Sequence, residues 1–374
     1  MNRPPTGIVM LNLGGPRNLD EVKPFLMELF ADREIIQLPA QSTLGPFIAG
    51  RRTKSVQKNY ADIGGGTPLE RWTKLQGEGM CARLDELSPE TAPHKAYIAF
   101  RYSEPSSETA LRQMAEDGVK RAVAFTQYPQ FSCATTGSSV NELWRAARRL
   151  GLQKEFTWSV IDRWPADGLF IEAMTQTVRQ GLEQFAPEER DDVLILFSAH
   201  SLPMSIINRG DPYPLEIGTS VHLVMERLGR QNEHLLSYQS SVGPVPWLGP
   251  STEAVIEQLG AKKRRRVLVV PIAFTSDHIE TLHELDIEYG ELAHHVGIAQ
   301  YVRAPALNDS PLFLDALAGI VHRHLEGGEA CSAQYGLRCP GCVNPQCRDI
   351  LRPVAPYRRT NVSAHPDNRR YTRS

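Results

Sequence analysis

Eight short apolar runs separated by stretches of helical periodicity fill this chain almost from end to end, and no other feature restricts the fold as much. The runs fall at residues 7–13, 96–100, 122–127, 157–161, 193–198, 235–239, 267–274 and 298–301. The helix-period stretches fall at 19–30, 68–87, 106–117, 139–151, 168–185, 215–229, 252–259 and 311–325. A helix between two strands returns the chain parallel to itself, so the pattern predicts parallel sheets in doubly wound α/β layers. Eight strands also suffice to close a barrel. Unequal Pro- and Gly-rich connections, with a full helix and the charged link 187–192 between the fourth and fifth strands, favour two open sheets. A chain of 374 residues is long for one core when domains average about 150 residues. The expected division is 1–155 and 156–328, followed by a C-terminal extension, 329–374, rich in cysteine and then in basic residues.

Composition narrows the partners. Hydrophobic residues make up 41% of the chain and the net charge is −2, so no overall field draws it to nucleic acid and no nucleic-acid partner is expected. No stretch approaches the ~20 apolar residues of a spanning helix, so any membrane affinity must be local. Met1 leads within a few residues into a strand-like run, leaving no room for a signal or transit peptide. The expected compartment is therefore the cytosol, or an organelle if a presequence is missing. Six cysteines are too few for a disulfide scaffold in a chain of this size, and the crowding of Cys339, Cys342 and Cys347 points to metal ligation.

Ligands of open α/β sheets bind outside the carboxyl ends of the strands, so the residues just after each run matter most. The fifth run leads into Ser198-Ala199-His200-Ser201, placing an imidazole, largely neutral at pH 7, where it can accept a proton. A lone histidine that merely caps a loop is the plain alternative. The seventh run leads into Asp277-His278-Ile279-Glu280, after which Glu284 and Glu288 recur at four-residue spacing with His283 between them. On a helix these glutamates form one acidic stripe, which repels itself and suits a path for a divalent cation or for departing protons. A solvated helix face is the bland reading of such a run. Two glycine-rich turns, Leu13-Gly14-Gly15-Pro16 and Gly64-Gly65-Gly66-Thr67, permit close approach of carboxylates to backbone N–H groups, but neither is a dinucleotide fingerprint. Between them, residues 41–52 read as an apolar loop carrying Leu44, Phe47 and Ile48 against Arg51 and Arg52. Three thiols at C-x2-C-x4-C need a fourth ligand to close a site, for which Cys81, Cys133 and Cys331 compete; spacing alone leaves zinc and an iron–sulfur cluster open.

Several of these segments together resemble the ferrochelatases: Asn12-Leu13-Gly14-Gly15-Pro16, Gly64-Gly65-Gly66-Thr67-Pro68, Tyr128-Pro129-Gln130-Phe131-Ser132-Cys133, Ser198-Ala199-His200-Ser201-Leu202-Pro203, Gly243-Pro244-Val245-Pro246-Trp247 and Thr275-Ser276-Asp277-His278-Ile279-Glu280, in that order. The likeness spans residues 7–347. It implies two Rossmann-like domains, each a four-stranded parallel sheet flanked by helices, with a porphyrin cleft between them and a Cys-rich extension. It implies insertion of Fe²⁺ into protoporphyrin, with His200 taking pyrrole protons and Glu280 and His278 assisting metal delivery or proton exit along Asp277, Glu284 and Glu288. Leu13, Arg52, Tyr60, Thr67 and Trp247 would contact the porphyrin, while Arg101, Tyr128 and Trp164 would line the opposite side. The cysteines resemble those of the subgroup holding a 2Fe–2S cluster, whose fourth ligand matches Cys133. The lip at 44–48 would touch a bilayer, either the bacterial inner membrane or the matrix side of the mitochondrial one, and the resemblance allows a homodimer. Departures from the animal pattern are Leu13 for methionine, Thr67 for serine and Ser241 for lysine, and the Arg-rich tail from Arg348 has no counterpart.

The residues fit the chemistry of metallation. A planar porphyrin hides its nitrogen lone pairs, so the enzyme must bend the ring, remove two N–H protons and supply a partly desolvated Fe²⁺. Coproporphyrin is the alternative substrate. The rival reading is a two-domain receptor for a metal or solute, which would have no need of a proton acceptor; a nucleotide-dependent enzyme lacks its glycine fingerprint.

Overall fold

The computed structural model describes residues 3–351 except 36, 230–231, 337–338 and 343, so the basic tail expected beyond 351 lies outside the described residues. Each apolar run overlaps a strand: β1 (Thr6–Asn12), β2 (His94–Phe100), β3 (Arg121–Thr126), β4 (Thr157–Ile161), β5 (Leu194–His200), β6 (His234–Gln239), β7 (Arg266–Pro271) and β8 (Gln300–Arg303). They form two open parallel sheets, ordered β2-β1-β3-β4 and β6-β5-β7-β8, not a barrel. β1, β3, β5 and β7 are buried over most of their length, as sheets covered by helices on both faces require, which is why they read as unbroken apolar runs. The shared strand order sets the site. Each sheet reverses its direction of growth between its first and third strands in sequence, and the carboxyl ends there, at β1/β3 and β5/β7, open a crevice.

One expectation about the chain's divisions changes. A boundary at 155 would cut off β4, yet β4 pairs with β3 from Arg121↔Thr157 to Phe125↔Ile161, so the first sheet closes only at Ile161. The extension returns along the edge of the first sheet, where Val160 N donates to Ala330 O at 2.8 Å, Ser332 Oγ donates to Asp162, and Tyr335 and Ile350 enter the core around Phe131.

Residues 41–52, expected as a loop, are the first part of a helix, Gln41–Asp62. Gly45 and Pro46 argue locally against a helix. Packing overrides them: Gly45 is buried against the helix Val22–Ala31, where an added Cβ would lie 2.9 Å from Phe30 O, and Ala49 and Tyr60 continue the buried face. Leu44 and Phe47 are left 38% and 60% exposed. Among the described residues no helix is long and apolar enough to cross a membrane.

The halves are firmly joined. One continuous core runs from Ile8 and Phe125 through Trp164 and Phe170 to Phe197, Leu268 and Phe313. The helix Leu69–Leu87 lies close to Pro311–Gly327 because Gly79 leaves room for Leu314, whose Cδ1 would be 2.6 Å from a Cβ there. From the same helix Gln76 Nε2 donates to Thr275 O and Asn308 O.

Candidate active site

His200 ends β5, beside the switch point of the second sheet. Its Nδ1 lies 2.6 Å from Ser201 O, and since a carbonyl can only accept, Nδ1 carries the proton. A neutral ring so held presents the Nε2 lone pair to its surroundings. The backbone beneath is pinned by Tyr213, whose hydroxyl donates to His200 O at 3.0 Å.

Past the end of β7, the acidic run does not form the single stripe expected of an α-helix. Glu280–Glu288 is a π-helix, a rare geometry associated with functional sites, and its three glutamates meet separate partners. Glu280 Oε2 lies 3.3 Å from His278 Nε2. Glu284 accepts from Gln239 Nε2, Ser240 N, Ser240 Oγ and Tyr289 Oη, and is thereby fixed to the end of β6. Glu288 is half exposed and reaches His283 Nδ1 at 3.5 Å. Asp277 is committed as well, to Thr281 Oγ1, Asn308 Nδ2 and Arg303. His278 packs against Phe274 with ring centroids 4.7 Å apart. Burial lowers its pKa, Glu280 and Asp277 pull the other way, and the His200 and Arg303 charges add to the lowering, so the ring is held toward its neutral form. Its buried Nδ1 finds no partner among the described residues.

The facing wall comes from the first half of the chain. Tyr60, 3% exposed, and Tyr128 both have phenol pKa values raised first by burial, and in both the Glu280 charge pushes the same way. Tyr128 Oη has no hydrogen-bond partner among the described residues. Leu13 follows β1, with its N–H tied to Asn12 Oδ1, and Thr67 N donates to Pro16 O, joining the two glycine-rich turns. Arg52 lies over the Phe30 ring, and Trp247 is half-buried with Nε1 on Val242 O. Trp164 is 5% exposed, bonded to Thr126 O and packed among Phe125, Phe170 and Phe313 in the core. Arg101 is spent on Asp32 and Ser138 and stacks on Tyr102. Burial opposes the Asp32 charge, but Arg101, Tyr102 and Ser138 outweigh it and hold the carboxyl below its usual range.

His283 and Arg303 were not anticipated as site residues. His283 bridges Asp62 of the helix Gln41–Asp62 and Glu288, so it joins the two walls, and Arg303 anchors Asp277 and Asp286 from the end of β8. His283 was visible among the glutamates of its run; nothing in the sequence tied Arg303 to Asp277.

A second cluster lies apart from this one. Cys133, Cys339, Cys342 and Cys347 all line one cavity of about 320 Å³, with Arg33, Glu34, Asn141, Arg209 and Asp211. Cys331 packs against the first sheet's core and Cys81 is buried inside the helix Leu69–Leu87, its thiol pushed up to about 12 by burial and by Asp85. Cys133 opens a short π-helix, Cys133–Gly137, and its N–H donates to Asp211 Oδ2 at 2.7 Å. Asp211 also takes Tyr213 N. The extension reaches this turn because glycines allow it: a Cβ on Gly210, which has φ +88, would meet Pro340 at 2.8 Å, and one on Gly341 would meet Arg209 Cα at 2.9 Å. Among the described residues no group of three or more His, Cys, Asp or Glu side chains is placed to hold a single metal ion, and the four thiols line one cavity. Four soft ligands around such a space fit a cluster of several atoms, as the resemblance implies.

Comparison with known proteins agrees with this geometry. Residues 5–325 match the family model described as Ferrochelatase. The chain is 55% identical over 348 residues to "Ferrochelatase, mitochondrial" of Bos taurus, covering 93% of this chain and 84% of that one. It is 54% identical over 348 residues to the Homo sapiens protein of the same description, covering 93% and 82%. The solved structure of SirB from Bacillus subtilis with Fe³⁺ covers 86% of this chain and 98% of its own at TM-score 0.50 and 14% identity, a likeness of fold alone. The chain therefore belongs to the ferrochelatase family, enzymes of haem biosynthesis that insert ferrous iron into a porphyrin.

Proposed function

We propose that this enzyme metallates protoporphyrin in the crevice between the two switch points, with His200 Nε2 as the proton acceptor. The carrying observation is the bond from His200 Nδ1–H to Ser201 O, which leaves the lone pair on Nε2 as the ring's proton acceptor. Loss of two pyrrole protons accompanies formation of the iron–nitrogen bonds. His200 accepts the two protons one after the other, and Glu280 with His278, held toward its neutral form, passes each toward solvent or receives the incoming Fe²⁺. Glu284, held by four donors, acts as a fixed anchor for the π-helix. Leu13, Thr67, Arg52, Tyr60 and Trp247 hold the ring and its propionates, with Tyr128 opposite.

His200→Ala tests this directly. Turnover should fall roughly 10²-fold or more while porphyrin affinity stays near wild type, the pattern of a lost general base. Near-normal turnover, or failure to bind porphyrin at all, would remove His200 from the role.

The remaining readings follow from surface and composition. Exposed Leu44 and Phe47 support a membrane-facing lip, and such a lip favours a porphyrin with two propionates over the more acidic coproporphyrin. The relatives are described as mitochondrial, which supports the matrix side of the inner mitochondrial membrane as the location. Cys133, Cys339, Cys342 and Cys347 would hold a 2Fe–2S cluster, a group able to accept one electron when bound. The two Rossmann-like domains would divide just after β4.

A further inference from the structure

The tautomer of His200 depends on one acceptor, Ser201 O, in the next residue of the chain. Ring and oxygen are joined through the single peptide unit His200–Ser201, so turning that unit carries the oxygen away from Nδ1. Both polar ends of the unit are tied down. Its N–H, on Ser201, donates to Gln239 O at 2.8 Å and continues the pairing of β5 with β6. Its oxygen, on His200, accepts the Tyr213 hydroxyl at 3.0 Å. Ser201 is held once more by its side chain, whose Oγ donates to Leu248 O at 2.7 Å. Tyr213 is itself fixed. It is 5% exposed in the core that includes Ala199, Leu202 and Ile217, and burial raises its pKa, so the phenol keeps the proton it donates. Its N–H donates to Asp211 Oδ1 at 3.1 Å, and the other oxygen of that carboxylate takes Ser132 Oγ and Cys133 N from the first half of the chain.

We infer that Tyr213 is a positioning residue for the proton transfer: by fixing the His200–Ser201 peptide it locks the Nδ1–H tautomer and keeps Nε2 free of a proton. The inference rests on the reading of His200 as the proton acceptor. A neutral imidazole has one N–H and one lone pair, so Nε2 can accept only while Nδ1 carries the proton. When the peptide is free to turn, Ser201 O no longer selects that form, and part of the protein carries the proton on Nε2, where it blocks the transfer. Tyr213 thus acts through His200 and on the rate of the chemical step, not on the affinity for porphyrin. A rigid support of this kind, a buried hydroxyl on a helix whose start is anchored by a carboxylate, is what a group held in one productive geometry requires.

The test reads the ring directly, in full-length protein labelled with ¹⁵N at histidine. The ring nitrogen–proton correlations of His200, identified by their loss in His200→Ala, should show the Nδ1–H form in wild type and a shift toward the Nε2–H form in Tyr213→Phe. In a metallation assay with ferrous iron and porphyrin the same variant should lower kcat about three- to tenfold, the range of one lost hydrogen bond, with KM for porphyrin unchanged. Ser201→Ala keeps the carbonyl but loses the bond to Leu248 O, and should move both readouts the same way to a smaller extent. Tyr97→Phe, which removes a hydroxyl bonded to Asp117 at the edge strand β2, should move neither. Wild-type ring correlations in Tyr213→Phe would overturn the proposal whatever the stability of the variant, and so would an Nε2–H ring in the wild type. If Tyr213→Phe does not fold, Ser201→Ala decides, and wild-type correlations there overturn it equally. A shifted tautomer with unchanged kcat would instead remove His200 from the base role, and the role of Tyr213 with it.

Discussion

The cleft rim and the thiol cavity are both suited to iron, but they are built by opposite means. At the rim the polar groups come from the carboxyl ends of two sheets, a place fixed by topology, and most are already engaged: Asp277 by Arg303, Asn308 and Thr281, Glu284 by four donors. What remains less committed is His200 Nε2 and the pair His278–Glu280, few ligands and hard ones, as suits a metal that must pass through. At the cavity, thiols come from chain segments more than 200 residues apart, brought together by packing of the extension on the first sheet. Burial raises the Cys133 pKa, and Asp211 adds to it, so that without a metal the thiol keeps its proton. Binding of a metal group must then release that proton, which ties occupancy to assembly of the site. On the proposed reading, the rim serves exchange of the metal and the cavity its retention.

The largest expected effect separates the two sites. Cys133→Ser should abolish the visible absorbance of purified protein, whereas Cys81→Ser should leave it intact, and porphyrin binding, read by fluorescence quenching, should survive both. Stoichiometric zinc in colourless wild-type protein would break the comparison at the cavity. Loss of porphyrin binding in Cys133→Ser would break it differently, by showing that the path from Cys133 through Asp211 and Tyr213 to His200 O makes one site of the two.

Within the rim, the π-helix predicts unequal glutamates where a plain stripe would predict a smooth gradient. Glu280→Gln keeps shape but removes the charge beside His278, and should lower turnover about tenfold or more. Glu288→Gln, half exposed, should cost less than about threefold. Glu284→Ala should act chiefly on stability, by about 2–4 kcal/mol in urea unfolding, because it strands buried donors. A larger kinetic loss at Glu284 than at Glu280 would show that the anchor is part of the path.

How much of this was legible follows from where each residue takes its position. His200 ends β5 as expected, because period and topology act over short range, whereas β7 stops at Pro271, seven residues before His278. The Glu280–Glu288 stripe was misread because a spacing of four in sequence assumes α-helical winding, and the bonds of Glu284 to β6 come from another strand. Residues 41–52 were misread for a related reason: Gly45 and Pro46 signal a break locally, and only Phe30 across the helix pair explains why the helix persists. Trp164 was named through the family resemblance alone, which says nothing of its depth. The return of the extension to β4 left no local trace, since the bond from Val160 N to Ala330 O joins residues 170 positions apart.

The smallest expected effect concerns the lip, and it tests whether the rim is open to a bilayer as the cavity is not. Leu44 and Phe47 project from a helix whose opposite face is fixed by Gly45 and Ala49, so replacing the exposed side chains removes apolar area without unpacking the core. Two such side chains contribute a few kcal/mol at most, at ~25 cal/mol per Å² buried, so binding to vesicles should be weak, reversible and sensitive to detergent. Substituting serine for Leu44 and Phe47 together, leaving Ile48 packed on the core beside Ala49, should release the protein from phosphatidylcholine vesicles in a flotation assay. Turnover on porphyrin dispersed in detergent should change by less than about twofold, since neither meets the reacting ring nitrogens. Equal flotation of the variant and wild type would remove the lip from the membrane. Loss of detergent-assay turnover would instead assign these side chains to the porphyrin pocket.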